Sequence, residues 1–124
     1  MRYTIYNDGR TKTIPIGKVA ENNYTELAFD ITDWINELEI DNCVLVMQRP
    51  KDKDPYPAQC EIERDYYRQK AYAVHKITST DLRDYGNGRC QLQMLSGDVV
   101  AKSPVYTTIC LISLGDTVAP PAPW

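Results

Sequence analysis

The sequence predicts an all-β fold, an immunoglobulin-like antiparallel β-sandwich with one or two short helical turns. Three observations carry this reading. First, in Arg89-Cys90-Gln91-Leu92-Gln93-Met94 the apolar positions 90, 92 and 94 alternate with polar 89, 91 and 93. Successive strand side chains point to opposite faces, so this pattern describes a strand with one dry and one wet side. Second, turn signals punctuate the chain, among them Asp8-Gly9 and Ser96-Gly97-Asp98. Third, short β-forming runs recur at close spacing, about seven to nine of them, as in a sandwich or barrel.

Taken in order, Tyr3-Thr4-Ile5-Tyr6 and Lys12-Thr13-Ile14-Pro15-Ile16 flank Asn7-Asp8-Gly9-Arg10, which predicts a hairpin. Pro15 lacks a ladder donor, so its strand belongs at an edge. Gly17 to Asn23 is a polar loop. Thr25 to Asp30 is a strand with Leu27 and Phe29 on one face. Asp30 to Leu38 opens as a helical turn capped by Asp30 or Thr32, with Trp34, Ile35 and Leu38 on one side, lying across an end of the sandwich.

Cys43-Val44-Leu45-Val46-Met47 is apolar on both faces, which predicts a central strand covered on two sides. The proline-rich stretch from Lys51 to Pro57 is an exposed, extended loop. Cys60 to Glu63 and Gln69 to Ile77 are the next strands, joined through Arg64 to Arg68. In the second, Ala71, Ala73 and His75 oppose Tyr72, Val74 and Lys76; neither side is cleanly apolar, which suits a place near an edge. Thr78 to Gly86 reads as one helical turn, capped by Thr78 or Ser79 and ended by Gly86. The hairpin at Ser96-Gly97-Asp98 follows, and then the β-branched run from Val105 to Ile112, bounded by Pro104 and Gly115. Residues 1–116 form one sandwich domain. Residues 117–124 are a Pro-rich linker beyond which the natural chain is expected to continue.

Composition bounds the function. At 124 residues the chain builds a single core without staples. A net charge of −3, with basic residues scattered among carboxylates, excludes a nucleic-acid partner. No apolar run approaches the roughly 20 residues of a membrane-spanning helix, and Met1 to Asp8 has no apolar signal region. Cys43, Cys60, Cys90 and Cys110 allow three disulfide connectivities. Three of them sit in apolar strand patterns, and reduced core thiols are the expected state. Their spacing does not suit zinc, and Trp34 precedes Cys43, which excludes the antibody-type Cys–Trp–Cys pattern.

No catalytic, cofactor or metal residues are expected. His75 is the only histidine and sits among strand residues, where a catalytic base would need an oriented partner. Nucleophile-elbow, P-loop and HExxH motifs are absent. Asp30 with Asp33, and Asp81 with Asp84, sit at helical-turn starts, where carboxylates cap. Asp52 and Asp54 supply too few ligands for calcium. Asn23-Tyr24-Thr25 matches a glycosylation acceptor by chance. The aromatics carry more: Trp34, Tyr56, Tyr66, Tyr67 and Tyr72 are candidate interface or ligand residues, because exposed rings serve protein contacts and sugar stacking alike. Tyrosines covering a sandwich edge with wet hydroxyls are the structural alternative.

An ordered set of segments points further. Gly17-Lys18-Val19-Ala20-Glu21-Asn22-Asn23 is followed by Leu27-Ala28-Phe29-Asp30-Ile31-Thr32-Asp33-Trp34, then Met47-Gln48-Arg49-Pro50, Ile77-Thr78-Ser79-Thr80-Asp81, Gly86-Asn87-Gly88 and Lys102-Ser103-Pro104-Val105-Tyr106-Thr107-Thr108. Over Gly17 to Leu114 this resembles the N-terminal domain of the phage baseplate upper protein and related tail-fibre proteins of phages, or prophages, of Gram-positive bacteria. The resemblance implies a β-sandwich that anchors a fibre or receptor-binding assembly to the tail tip. It implies other tail and baseplate proteins as partners, a homo-oligomer in the full-length assembly, and a virion location after assembly in the host cytoplasm. It transfers no catalytic residues and no attachment surface residue by residue. A carbohydrate-binding module built on the same aromatics is the alternative function.

Overall fold

The structure, a computed structural model, describes residues 1–6, 9–40 and 42–114. The linker residues 117–124, the last two residues of the expected domain and the first two residues of the Asn7–Arg10 turn lie outside these. Among the described residues there are ten strands and one short helix.

Alternation sets the central strands. In β4 (Asn42–Gln48) Cys43, Leu45 and Met47 are buried, and the residues between them are half-buried. β8 (Gly86–Ser96) repeats the pattern with Cys90, Leu92 and Met94, and β10 (Tyr106–Leu111) with Tyr106, Thr108 and Cys110. β4 pairs antiparallel with β8, which pairs antiparallel with β10. β2 (Thr13–Lys18) lies beyond β10 and β5 (Tyr56–Gln59) beyond β4. β9 (Val99–Lys102) also pairs with β8, giving a six-stranded sheet. The other sheet has four strands, in the order β1 (Arg2–Tyr6), β3 (Glu26–Asp30), β7 (Lys70–Lys76) and β6 (Glu61–Asp65).

The sheets close on one core. Ile5, Leu27, Phe29 and Ala73 from the four-stranded sheet meet Ile14, Leu45, Leu92, Met94 and Tyr106 from the six-stranded one. Phe29 and Tyr106 bridge the layers, with ring centroids 5.9 Å apart and planes tilted by 42°. Such a tilted aromatic pair adds about 1 kcal/mol to the burial itself. All four cysteines are free and buried. Gly88 lies where β8, β4 and β10 meet: an added Cβ would strike the Gln48 carbonyl and come within 2.8 Å of Thr108 Oγ1.

The all-β sandwich is as predicted, and Pro15 lies on the edge strand β2. Several local expectations need correction. β1 and β2 are not a hairpin. β1 pairs parallel with β3, and β2 parallel with β10, so both sheets are mixed rather than purely antiparallel. Each strand has one apolar side, and facing strands in opposite sheets bury Ile5 and Ile14 as well as a hairpin would; long-range pairing overrides the Asp-Gly signal. β7 does lie near an edge, one strand in, between β3 and β6, with Ala28 and Val74 buried on the outer side of the sheet. The 51–57 stretch is not wholly loop, since β5 begins at Tyr56. Residues 78–86 make turns and no helix; Gly86, with φ +123°, opens β8. Helix α1 (Thr32–Glu37) has Ile31 at its cap position. Asp30, one residue earlier, accepts from the Thr32 amide at 3.0 Å and its hydroxyl at 2.6 Å.

Candidate docking surface

The β6–β7 turn presents the tyrosines at their most exposed. Asp65 pairs with Lys70 at the strand ends, and its Oδ1 accepts from the Arg68 amide at 3.1 Å. Gln69 takes the left-handed φ of +55° that closes the turn. This leaves Tyr66 and Tyr67 at the tip, 82% and 98% exposed. Beside the tip, the Ala71 amide donates to Thr32 Oγ1 at 3.2 Å and holds α1 against β7. Between helix and turn lies a shallow depression of about 280 Å³ lined by Ile35, Asn36, Arg64, Tyr66, Gln69 and Lys70.

The other predicted aromatics do not join this site. Trp34 is partly buried and packs on the core. Tyr72 lies on the outer face of the four-stranded sheet, in register with Asp30 and Glu63. Tyr56 sends its hydroxyl to Asp81 Oδ1 at 2.5 Å, and Arg49 stacks over its ring at 4.7 Å. Of the five, Tyr66 and Tyr67 are the most exposed, and Tyr72 is half-buried.

Around Asp81 the fold assembles a polar node that the sequence does not announce. Asp81 is 3% exposed. Its carboxylate receives Tyr56 OH, the Thr78 amide at 2.9 Å and the Thr78 hydroxyl at 3.3 Å, and it pairs with His75 Nε2 at 2.9 Å. Burial alone would raise its pKa. The bonds from His75, Tyr56 and the Thr78 amide outweigh that and hold it below the usual carboxylate range. An ionised carboxylate only accepts, so His75 Nε2–H donates. Burial first, and the Asp81 carboxylate second, push the Tyr56 phenol well above its ordinary value.

The node does meet the request for an oriented histidine, but in the wrong order for nucleophilic chemistry. Such a site needs nucleophile, base and orienting group in sequence. Here hydroxyl and imidazole both bond to one shielded carboxylate, which acts as a clamp between β5, β7 and the 78–82 turn. Next to it, Arg49 Nε donates to Asp52 Oδ2 at 2.8 Å, Arg49 Nη1 to the Thr80 carbonyl at 2.9 Å, and Arg83 Nη2 to Asp52 Oδ1 at 3.0 Å. Asp52 is held below its ordinary pKa, chiefly by the Arg49 bond. The loop after β4 is therefore pinned, and Asp52 spends both oxygens on arginines. The Thr78-x-x-Asp81 spacing of a capping box is the one local signal of this node; its Tyr56 and His75 arms come from other strands.

The two outer faces differ in chemistry. Across the four-stranded sheet, register places Arg2 beside Glu26 and Lys76, and Tyr6 beside Asp30, Tyr72 and Glu63. Arg2 bonds Glu26 at 2.6 Å and Glu63 at 2.9 Å, tying the two edge strands over Ala28 and Val74. Across the six-stranded sheet the outward rows run Thr13, Thr107, Arg89, Gln48; Pro15, Ile109, Asn87; Gln91, Val46, Pro57; and Lys102, Gln93, Val44, Gln59. No carboxylate interrupts these rows. Two open depressions mark them, about 140 Å³ between Val46, Gln91 and Val105 and about 420 Å³ between Gln48, Asn87, Arg89 and Thr107, the latter with Asp52 at its rim. A broad surface of amides and aliphatic groups with few charges has the make-up of a protein interface core.

Compared with known proteins, the chain matches no family model, and no curated protein matches it.

Proposed function

We propose that this domain is a structural docking module of a phage or prophage tail or baseplate, holding a fibre or receptor-binding assembly through protein–protein contacts. The observation that supports docking is the outer face of the six-stranded sheet, whose strands carry no carboxylate, while the opposite face is laced with ion pairs. Interface cores are depleted of charge in this way. The tail setting rests on the sequence resemblance over Gly17 to Leu114. Particles purified by density gradient from a strain carrying the gene should contain the chain, with antibody label at the tail tip. Particles that lack it would defeat the tail reading.

The second reading, carbohydrate binding, has its own observation. Tyr6, Asp30, Tyr72 and Glu63 stand in register across the outer four-stranded sheet, alternating rings with carboxylates. A glycan array decides it: saturable sugar binding lost in Tyr72→Ala, or in Tyr66→Ala and Tyr67→Ala, would favour a sugar module over docking.

A further inference from the structure

The six-stranded sheet keeps one edge that nothing among the described residues covers. β9 pairs with β8 alone, and Val99 and Val100 are 45% and 54% exposed. Most other edges are blunted in the usual ways. β2 carries Pro15 and a positive-φ Gly17, β5 carries Pro57, and β6 is charged at Glu61, Glu63, Arg64 and Asp65.

Register shows which main-chain groups of β9 remain available. Ser96 opposite Val99 closes the two-residue Gly97-Asp98 turn, so that pair exchanges both hydrogen bonds. The Ser103 amide donates to the Leu92 carbonyl at 2.9 Å, which keeps the same parity beyond the strand. Val99 and Ala101 thus turn their amides and carbonyls toward β8, and Val100 and Lys102 turn theirs outward.

We propose that β9 pairs antiparallel with β9 of a second copy of this chain, about a two-fold axis through Val100. In that register Val100 meets Val100, and the two exchange main-chain hydrogen bonds. Val99 meets Ala101. Asp98, the turn residue that leads into β9, then comes close to the position of Lys102 of the other copy, within reach of the long lysine side chain. Asp98 and Lys102 are exposed, and neither has an ion-pair partner among the described residues. The length of β9 separates them, roughly 10 Å of extended chain, so they cannot pair within one copy. Pairing therefore gives up no existing contact and satisfies two opposite charges twice. The β1 edge lacks this complementarity: a two-fold at Thr4 would set Arg2 against Tyr6, and Arg2 is already held by Glu26 and Glu63. The contact is isologous and uses up the open edge, so it stops at a dimer. This goes beyond the docking reading and stands without it.

Sedimentation velocity of the 124-residue chain tests the proposal between about 10 μM and about 1 mM, where a contact of this small size associates. The expected result is a monomer–dimer equilibrium. Val100→Pro removes an amide that faces away from β8, so it keeps the β8–β9 ladder and should weaken the dimer at least about tenfold. Asp98→Lys or Lys102→Asp alone should weaken it about tenfold, and the double exchange should restore it. Circular dichroism of each variant verifies the fold; should Val100→Pro unfold, the charge series decides alone. A monomer throughout the range overturns the proposal, as does a dimer indifferent to the charge exchange.

Discussion

Asp81 shows how much a single side chain can organise. Three donors from three separate segments converge on its carboxylate at 3% exposure. Asp81→Ala would strand the Tyr56 hydroxyl, the His75 ring and the Thr78 amide without their shared acceptor, a loss of about 2–4 kcal/mol by urea unfolding. Acid should do the same by titration. Its folded pKa lies below the unfolded value near 4. The stabilisation is therefore complete above about pH 5 and is lost as pH falls through the folded value. The gap between wild-type and Asp81→Ala urea midpoints should narrow from pH 7 to pH 3; a constant gap would show that the carboxylate is not the clamp. Cysteine chemistry is set at the same scale. Burial pushes the Cys43 thiol up to about 11, and Cys60 and Cys90 up to about 12. Because the thiolate is the nucleophile, all three should resist alkylation at pH 7.5 in the folded chain and react once urea unfolds it. Fast labelling of native protein would contradict the buried core.

At the scale of elements, the β6–β7 turn is separable from the stability of the sandwich. Tyr66 and Tyr67 are almost wholly exposed, so Tyr66→Ala with Tyr67→Ala should change stability by no more than about 0.5 kcal/mol. A larger loss by thermal melting would mean the rings cover the depression beside α1. The elements also show what the sequence makes readable. The runs 43–47 and 90–94 are plain, because one side of each strand is wholly buried and period two survives into the sequence. The covered-both-sides reading of β4 holds only in part, since Val44 and Val46 are half-buried on the outer face. β5 is hidden because Pro55 and Pro57 mask it, and its reason to be a strand is Val46 and Leu45 across the ladder. The β1–β2 hairpin misleads because its turn signal is local, and the partners that win, β3 and β10, lie far along the chain. Tyr56 and Asp81, 25 residues apart, leave no local trace of their bond. Exposure of Tyr66 and Tyr67 follows from the sequence; the split of the five aromatics over separate surfaces needs the register.

For the molecule as a whole, the two parallel pairs have a mechanical consequence. β2 and β10 run side by side in the same direction, joined from Thr13 to Lys18 along Thr107 to Leu111. Tension applied between residues before β2 and residues after β10 drags these strands past each other lengthwise. Their hydrogen bonds then break together, whereas a hairpin under tension opens one rung at a time. Stretching single molecules with handles at residues 12 and 112 should give a high, single rupture force, and Ile14→Pro, which removes a bond from that seam, should lower it. A domain whose task is to hold a fibre would gain from a seam that resists sliding, and this chain places one where its first and last strands of the larger sheet touch.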